Sequence, residues 1–223
     1  MDISSQIQTV LILALPVLFA ITVPAVVRGR VASHFGDQTA AMMGRLTLNP
    51  IKHIDPIGTL LIPLVLYFAT SGALLFGYAK PIPFDPRNLH NPKRDLLWVS
   101  LSAPAANFSM ALVWAILFVL LRAAGIDEPF FVQMAQGGVL VNLVMWAFNL
   151  FPLPPLDGGR ILVGLLPNGP VPNFLARIEP YGFFIVMALV LAGVLGKLWL
   201  QPLMAAGYAI INTILIPFVA LLR

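Results

Sequence analysis

Long apolar runs of about 20 residues recur along the whole chain, and each has the length of a helix that crosses the hydrocarbon core of a bilayer. The composition excludes an ordinary soluble domain, because 59% of the 223 residues are hydrophobic and only 10% are charged. We therefore predict an all-α integral membrane protein with about five or six transmembrane helices. The expected spans are 7–27, 57–78, 96–121, 130–151, 181–200 and 202–222.

The connections between these spans are polar or rich in proline, and the chain has no internal repeat or low-complexity tail. Residues 1–223 are therefore interpreted as a single polytopic membrane domain. Because a residue that precedes proline is disfavoured in helix, short extended or re-entrant segments are expected near 45–50 and 79–84. The connections 28–55 and 80–95 each hold four Lys or Arg residues, so the positive-inside rule leaves the orientation open.

Charge and cysteine content exclude several classes of site. The net charge is +4, but no basic stripe with interleaved aromatic residues is present, so no nucleic-acid partner is expected. The cations are better explained by anionic headgroups, which makes membrane lipids the expected partners. The chain has no cysteine, and this excludes disulfides and thiolate metal sites.

One apolar run ends in a break at residues 149–160, which read Asn-Leu-Phe-Pro-Leu-Pro-Pro-Leu-Asp-Gly-Gly-Arg. Prolines lack the N–H that a helix interior needs, so the backbone must open here. Open backbone at membrane depth is tolerated only where it is buried in protein or lines a cavity. An acid in such a segment is costly, and Asp157 is therefore a candidate functional residue. The alternative is an interfacial loop in which Asp157 caps the next helix.

Several motifs in a fixed order are similar to those of the site-2 protease family, the intramembrane zinc metalloproteases. The resemblance covers nearly the whole chain and indicates the short bacterial form, without an appended PDZ or nucleotide-binding domain. It implies a multi-pass protein of the bacterial cell (plasma) membrane that acts on transmembrane or extended peptide segments. The matching motifs are G-D-Q-T-A at 36–40, G-R-L-T-L-N-P at 44–50, H-I-D-P-I-G-T at 53–59, G-Y-A-K-P-I-P at 77–83, N-P-K-R at 91–94, Pro104 with Asn107, and the break at 149–160.

The resemblance also implies a zinc site. Members carry H-E-x-x-H at the end of the first helix, where the two histidines bind zinc and the glutamate is the general base. The third ligand is the aspartate of the L-D-G-G motif, which is Asp157 in this chain. The other residues that the resemblance assigns to substrate binding or to structure are Asn149, Pro152, Pro154, Pro155 and Asn107.

This chain departs from the family where H-E-x-x-H is expected, because it reads Pro24-Ala25-Val26-Val27-Arg28 there. Proline cannot bind zinc, alanine cannot accept a proton, and arginine is a permanent cation that repels a metal. Asp157 is then the surviving ligand position, whereas a catalytic zinc normally keeps three protein ligands. We therefore expect that zinc is not bound and that peptidase activity is lost.

A relocated metal site is an alternative that the three histidines leave open. His34 projects from a different helix face than Arg28, and His53 lies in an H-x-D-P motif that the family does not use for zinc. His90 lies in a polar loop, where a solvated side chain is the ordinary interpretation. The relocated site would consist of His34, His53 and Asp157, and we do not favour it.

Arg28 offers a different partner for the acid. Without zinc, the Asp157 carboxylate needs a partner or a proton in a low-dielectric interior. Since Arg28 stands at the position of the second zinc histidine, we predict that its guanidinium pairs with Asp157 and replaces the charge of the metal. In the alternative, Arg28 extends to the membrane interface. Pro24 also removes an N–H donor from the first helix, so a kink is expected near residues 20–24.

Three functions remain compatible with the sequence. The first is an inactive homologue that retains a groove for membrane-embedded or extended peptide segments of client proteins. The second is an active zinc metalloendopeptidase of regulated intramembrane proteolysis, if the departure at 24–28 is an artefact or is bypassed by other ligands. The third is a channel or transporter, which would need several ionisable residues within the spans, and Asp157 is essentially the only one.

Overall fold

The computed structural model of the protein describes residues 3–53, 55–62, 65 and 83–221, and helix is the regular structure throughout these residues, with no β-strand among them. Three short 3-10 turns, Pro50–Lys52, Pro86–Asn88 and Glu179–Tyr181, and two π-helical turns, Pro56–Leu61 and Gly196–Leu200, connect the α-helices. The α-helices are α1 (Ile3–His34), α2 (Thr39–Met42), α3 (Pro92–Ala123), α4 (Pro129–Asn149), α5 (Asp157–Leu165), α6 (Pro170–Ile178), α7 (Gly182–Leu191) and α8 (Gln201–Leu221).

Five helical segments in the described part of the chain are long and apolar enough to cross a membrane. This confirms the prediction of an all-α multi-pass membrane protein. The predicted second span, 57–78, lies mostly outside the described residues. The five segments are Ile7–His34, Pro92–Ala123, Pro129–Asn149, Pro170–Leu191 and Gly196–Ala220.

The fifth predicted span, 181–200, differs from the structure, where the apolar segment begins at Pro170 and ends at Leu191. Proline is tolerated in the first turn of a helix because the N–H it lacks would have no partner there, so Pro170 begins α6 and Pro180 lies in the 3-10 turn that joins α6 to α7. The segment ends because Gly193 has φ +70°, a left-handed conformation that is typical of the residue after a helix. Residues 196–200 then belong to the following helical segment.

The segment predicted to be extended near 45–50 is non-helical up to Asn49, whereas most of the one near 79–84 is not described. Residues 45–49 have no regular structure, and Asn49 has φ −67° and ψ 111° immediately before a 3-10 turn. Asp85, which precedes Pro86, has φ −114° and ψ 110°. Residues 79–82 of the second segment lie outside the described part of the chain.

Helix α3 lies at the centre of the bundle and contacts α1, α4 and α5. Its close packing on α4 depends on a glycine, since a Cβ at Gly138 would lie 2.2 Å from the Trp114 ring. Small residues allow such close approach between helices in a bilayer, where packing rather than water exclusion favours association. The main apolar cluster joins α3, α4 and α8 and contains Ala111, Trp114, Ala115, Ala135, Val139, Leu143, Ile211 and Leu215.

Candidate functional site

The candidate site is built on the break between α4 and α5, and residues 150–156 are called the open segment here. Helix α4 ends at Asn149 and α5 begins at Asp157. Residues 150–156 form no helix, and the peptide bond between Pro154 and Pro155 is cis. The three prolines explain the interruption, because a helix interior needs the N–H groups that they lack.

The glycines of the L-D-G-G motif bring the first turn of α5 directly onto the open segment. A Cβ at Gly158 would lie 2.2 Å from the carbonyl oxygen of Leu150, and one at Gly159 would lie 2.1 Å from the nitrogen of Pro154. A Cβ at Gly182 would lie 1.8 Å from the Pro154 carbonyl oxygen on the other side. These distances leave no room for a side chain, so backbone packing fixes the position of Asp157.

Asp157 is the first residue of α5, and its side chain is only 3% exposed. The residue that precedes the helix is Leu156, which makes no side-chain cap, so the predicted alternative of Asp157 as a cap does not describe this helix start. Instead, Oδ2 of Asp157 accepts a hydrogen bond from Nη2 of Arg28. A negative charge in the first turn is also favoured by the helix dipole.

Arg28 lies near the end of α1, and its side chain is 20% exposed. A guanidinium has five N–H donors, and the bond to Asp157 uses one of them. The buried Nε of Arg28 has no hydrogen-bond partner among the described residues. Since Nε is enclosed by protein, only the partly exposed remainder of the guanidinium can bind a further acceptor. Pro24 is buried and Ala25 is half-buried. Neither side chain has a polar group that it could contribute to the site.

A second arginine follows the motif and was not identified from the sequence. Arg160 donates through Nη2 to Oε1 of Glu179 at 3.0 Å, and its guanidinium carbon lies 5.5 Å from the centre of the Phe84 ring. These side chains and Pro154 line a cavity of about 250 Å³ beside the open segment. The position of Arg160 directly after the two glycines was the available signal.

The other predicted site residues lie in the open segment, at the end of α4 or in the core. Asn149 and Pro152 are half-buried, Pro154 is buried and Pro155 is exposed. The side chain of Asn149 makes no hydrogen bond to another described residue. Asn107 is the residue in the core. It is fully buried in the bundle, and its Nδ2 donates to the Ala20 carbonyl at 3.1 Å.

A buried carboxylate fixes the end of α1 and was not identified as important from the sequence, although it lies in the G-D-Q-T-A motif. Asp37 is 0% exposed and accepts hydrogen bonds from the Thr39 N–H at 3.1 Å, the Asn88 amide at 3.0 Å and the Asp85 N–H at 2.9 Å. Burial opposes ionisation of Asp37, but a further bond from the Thr39 hydroxyl together with these hydrogen bonds outweighs it and lowers the pKa of the carboxyl group below its usual value. We call these four residues the polar clamp.

The residues of the candidate site do not fit a catalytic zinc. Carboxylate, imidazole and thiolate groups are the usual zinc ligands, and here Asp157 faces an arginine instead of histidines. Across the described ranges, no group of three or more His, Cys, Asp or Glu residues is placed to hold a metal ion. The structure therefore does not bring His34, His53 and Asp157 together. His53 is buried, with Nε2 2.7 Å from the Thr47 carbonyl oxygen, while His34 and His90 are exposed.

Comparison with known proteins gives two relatives among the curated proteins. The chain is 38% identical over 204 residues to "Putative zinc metalloprotease YwhC" of Bacillus subtilis (strain 168). The matched region covers 87% of this chain and 86% of the relative. It is 32% identical over 169 residues to "Putative zinc metalloprotease Rip2" of Mycolicibacterium smegmatis, which covers 74% of this chain and 61% of the relative.

Neither of the other two comparisons gives a match, since no protein-family model and no solved structure matches the chain. The similarity to the Bacillus protein extends over most of both chains. This multi-pass membrane protein belongs to the site-2 protease family.

Proposed function

We propose that this protein is an inactive member of its family that binds peptide segments and does not cleave them. In this proposal, it lies in the cell membrane of a bacterium and holds membrane-embedded or extended segments of client proteins at the open segment. The observation that carries the proposal is the hydrogen-bonded contact between Arg28 and Asp157. A guanidinium cation bonded to Oδ2 of Asp157 would repel a metal cation at the same carboxylate.

Loss of hydrolysis follows from the residues around that contact. Ala25 has no group that could take a proton from a water molecule, and general acid–base catalysis contributes about 100- to 10,000-fold to such reactions. Without a metal, the activated water and the Lewis acid are missing as well. No chemical step therefore occurs at this site.

Peptide binding is supported by polar groups that remain available around the open segment. Asn149 is half-buried and makes no side-chain hydrogen bond within the described part of the chain, and the Arg28 side chain is 20% exposed beside its bond to Asp157. A peptide in extended form presents carbonyl and N–H groups that such side chains can bind. The N–H groups of Leu150, Phe151, Leu153 and Leu156 are already hydrogen-bonded within the chain, and proline has no N–H. The open segment can therefore offer a peptide only carbonyl acceptors.

An active zinc metalloendopeptidase is the second candidate, and the names of the two relatives favour it. The zinc content of the detergent-purified protein, measured by mass spectrometry, distinguishes the two candidates. We expect no zinc in the wild-type protein. Near-stoichiometric zinc that is lost in Asp157→Ala would contradict the proposal and support the active enzyme.

A matched variant restores the ligands in the same chain. The triple substitution Pro24→His, Ala25→Glu and Arg28→His should bind zinc, and adding Asp157→Ala should weaken that binding. This positive control shows whether the rest of the site can still accept a metal. If the purified triple variant is folded but binds no zinc, then residues other than these three also prevent zinc binding at this site.

Peptide binding needs its own test with a defined probe. A photo-crosslinking amino acid at Leu153, which is half-buried in the open segment, should crosslink to a synthetic single-span peptide with a central helix-breaking sequence in nanodiscs. The control position is Leu198, which is 74% exposed on the surface. We expect crosslinks from position 153 that Arg28→Ala reduces. Equal crosslinking from both positions would contradict binding at the open segment.

A further inference from the structure

Pro24 leaves a gap in the hydrogen-bond pattern of α1. In an α-helix, the carbonyl of residue 20 accepts from the N–H of residue 24, and proline has no N–H. Helix α1 nevertheless continues through Pro24 to His34. Ala20 is only 1% exposed, and a buried carbonyl without a donor is destabilising. The Ala20 carbonyl therefore needs a donor from outside its own helix.

Asn107 of α3 provides that donor. Its Nδ2 donates to the Ala20 carbonyl oxygen at 3.1 Å, and the asparagine side chain is fully buried. The side-chain amide of asparagine has the same chemistry as a backbone N–H. We infer that Asn107 replaces the hydrogen bond that Pro24 cannot donate, and that it acts in this way as a positioning residue for Arg28.

The amide is held in place from a third helix. The same Nδ2 of Asn107 lies 3.3 Å from Oδ1 of Asn142 in α4, and Asn142 donates in turn to the Gly138 carbonyl at 2.9 Å. Both asparagines are 0% exposed. The bonds therefore connect α1, α3 and α4 within the apolar bundle, where polar side chains between helices stabilise one arrangement.

The geometry of α1 connects this site to the ion pair. Residues 20, 24 and 28 are spaced by four and lie along one face of the helix. Asn107 thus fixes α1 against α3 two turns before Arg28, and the guanidinium then contacts Asp157. A free turn at Pro24 would allow the end of α1 to move relative to α5. This inference concerns the geometry of the pair and does not depend on client binding.

A double-mutant cycle between residues 24 and 107 tests the inference. Asn107→Leu leaves the Ala20 carbonyl without its donor and should lower the thermal unfolding midpoint in detergent by about 4–8 °C. In the Pro24→Ala background, the backbone N–H regained at position 24 can donate to Ala20 instead, so the same substitution should cost clearly less. Some loss should persist because Asn142 still loses its partner.

Two control variants separate this role from general packing. Pro16→Ala removes another proline from the interior of α1 and should not change the effect of Asn107→Leu. Asn142→Leu removes one bond of Asn107 but leaves the bond to Ala20, and its effect should not depend on residue 24. Additive effects of Pro24→Ala and Asn107→Leu would overturn the inference. The inference would also be overturned if Pro24→Ala coupled as strongly to Asn142→Leu as to Asn107→Leu.

A distance measurement tests the positioning of Arg28. The chain has no cysteine, so Arg30→Cys in α1 and Leu165→Cys in α5, both at exposed positions, allow paired spin labels. Double electron–electron resonance should give a narrow distribution of distances between the labels at positions 30 and 165. The distribution should broaden in Asn107→Leu and narrow again when Pro24→Ala is added. A distribution unchanged by Asn107→Leu would mean that Asn107 only stabilises the bundle, and it would overturn the positioning role.

The yield of folded protein is the readout if Asn107→Leu alone does not accumulate. Recovery of folded protein by Pro24→Ala is then the expected result, and recovery by Pro16→Ala is not. Failure of Pro24→Ala to restore folding would overturn the inference.

Discussion

The two halves of the candidate site are held in different ways. The first turn of α5 is fixed by backbone atoms, because Gly158 and Gly159 lie against the open segment with no space for a Cβ. Residues 24–28 of α1 are held by side-chain contacts, namely the bond of Arg28 to Asp157 and the bond of Asn107 to Ala20. The α5 half is therefore constrained by the fold itself, whereas the α1 half allows other side chains.

In the proposed inactive member, this difference explains how the chain can keep L-D-G-G without H-E-x-x-H. Replacing a glycine at the α5 half requires the backbone to move, which affects folding whether or not the protein is an enzyme. Replacing a histidine or glutamate in α1 requires only that the new side chains satisfy their buried neighbours. Retention of the L-D-G-G motif is thus not by itself a sign of catalysis.

The largest expected effect comes from the α5 half. Gly159→Ala places a Cβ about 2.1 Å from a backbone nitrogen, and no side-chain rotation relieves that contact. We expect a loss of more than about 5 kcal/mol in the free energy of unfolding, at the extreme of single substitutions. The yield and unfolding of the purified variant measure it. Gly196→Ala, where a Cβ meets nothing within 4 Å, is the control and should be tolerated. Equal behaviour of the two variants would contradict the comparison.

The next effect comes from breaking the ion pair. Arg28→Ala leaves the buried Asp157 carboxylate without its hydrogen-bonded cation and should cost about 3–5 kcal/mol. Replacing both residues, as in Arg28→Met with Asp157→Leu, should restore most of that loss, because no buried charge is then left unpaired. Chemical unfolding of the single and double variants tests this. A double variant as unstable as Arg28→Ala would show that the pair itself stabilises the fold.

The polar clamp should give a smaller effect that depends on pH. Since the pKa of Asp37 is lowered in the folded protein, its contribution is fully present above the unfolded pKa of about 3.9 and is lost as the pH falls through the lower folded pKa. Asp37→Asn should cost about 1–3 kcal/mol at neutral pH, and it should flatten the acid side of the stability profile. Unfolding measured between pH 7 and acidic pH tests both effects.

A neighbouring carboxylate is the control for the clamp. The side chain of Asp85 hydrogen-bonds to Arg87, and this bond lowers the pKa of Asp85 to about 2. Arg87 is 89% exposed, so the pair is screened by water. Asp85→Asn keeps the backbone N–H that binds Asp37 and should change stability at neutral pH much less than Asp37→Asn. A larger effect of Asp85→Asn would contradict the assignment of the clamp to Asp37.

The smallest effect is expected for an exposed ion pair at the other end of α3. Arg122 contacts Asp127, and their side chains are 56% and 70% exposed. Pairs of this kind contribute about 0–1 kcal/mol, so Arg122→Ala should leave unfolding nearly unchanged. Measured beside Arg28→Ala, it separates the effect of burial from the effect of an Arg–Asp contact as such. A loss equal to that of Arg28→Ala would remove burial as the explanation.

Much of the fold was predictable because it depends on local hydropathy. The expected spans 7–27, 96–121, 130–151 and 202–222 each fall within or close to an apolar helix of the structure. The span expected at 181–200 was displaced, because Asn173, Arg177 and Glu179 interrupt the hydropathy of a segment that is nevertheless helical. The start and end of the segment Pro170–Leu191 depend on prolines at helix starts and on Gly193. A hydropathy pattern takes no account of these residues.

The candidate site was predictable only in part. The break at 149–160 and the importance of Asp157 follow from residue types within a short segment. The polar clamp and the bonds of Asn107 were not found, since their partners come from distant parts of the chain, such as Asn88 for Asp37. The reason for the paired glycines was also missed, because it lies in the approach of two backbones.

The sequence by itself determined the membrane class, the break before Asp157 and the absence of zinc-binding residues at 24–28. These properties depend on residue chemistry and on short-range spacing. Only the tertiary structure decided the contacts of the polar clamp and of Asn107. Asn88 and Asp37 are 51 positions apart, and Asn107 and Ala20 are 87 apart. Contacts at such separation depend on how the helices pack, and packing is a property of many residues acting together.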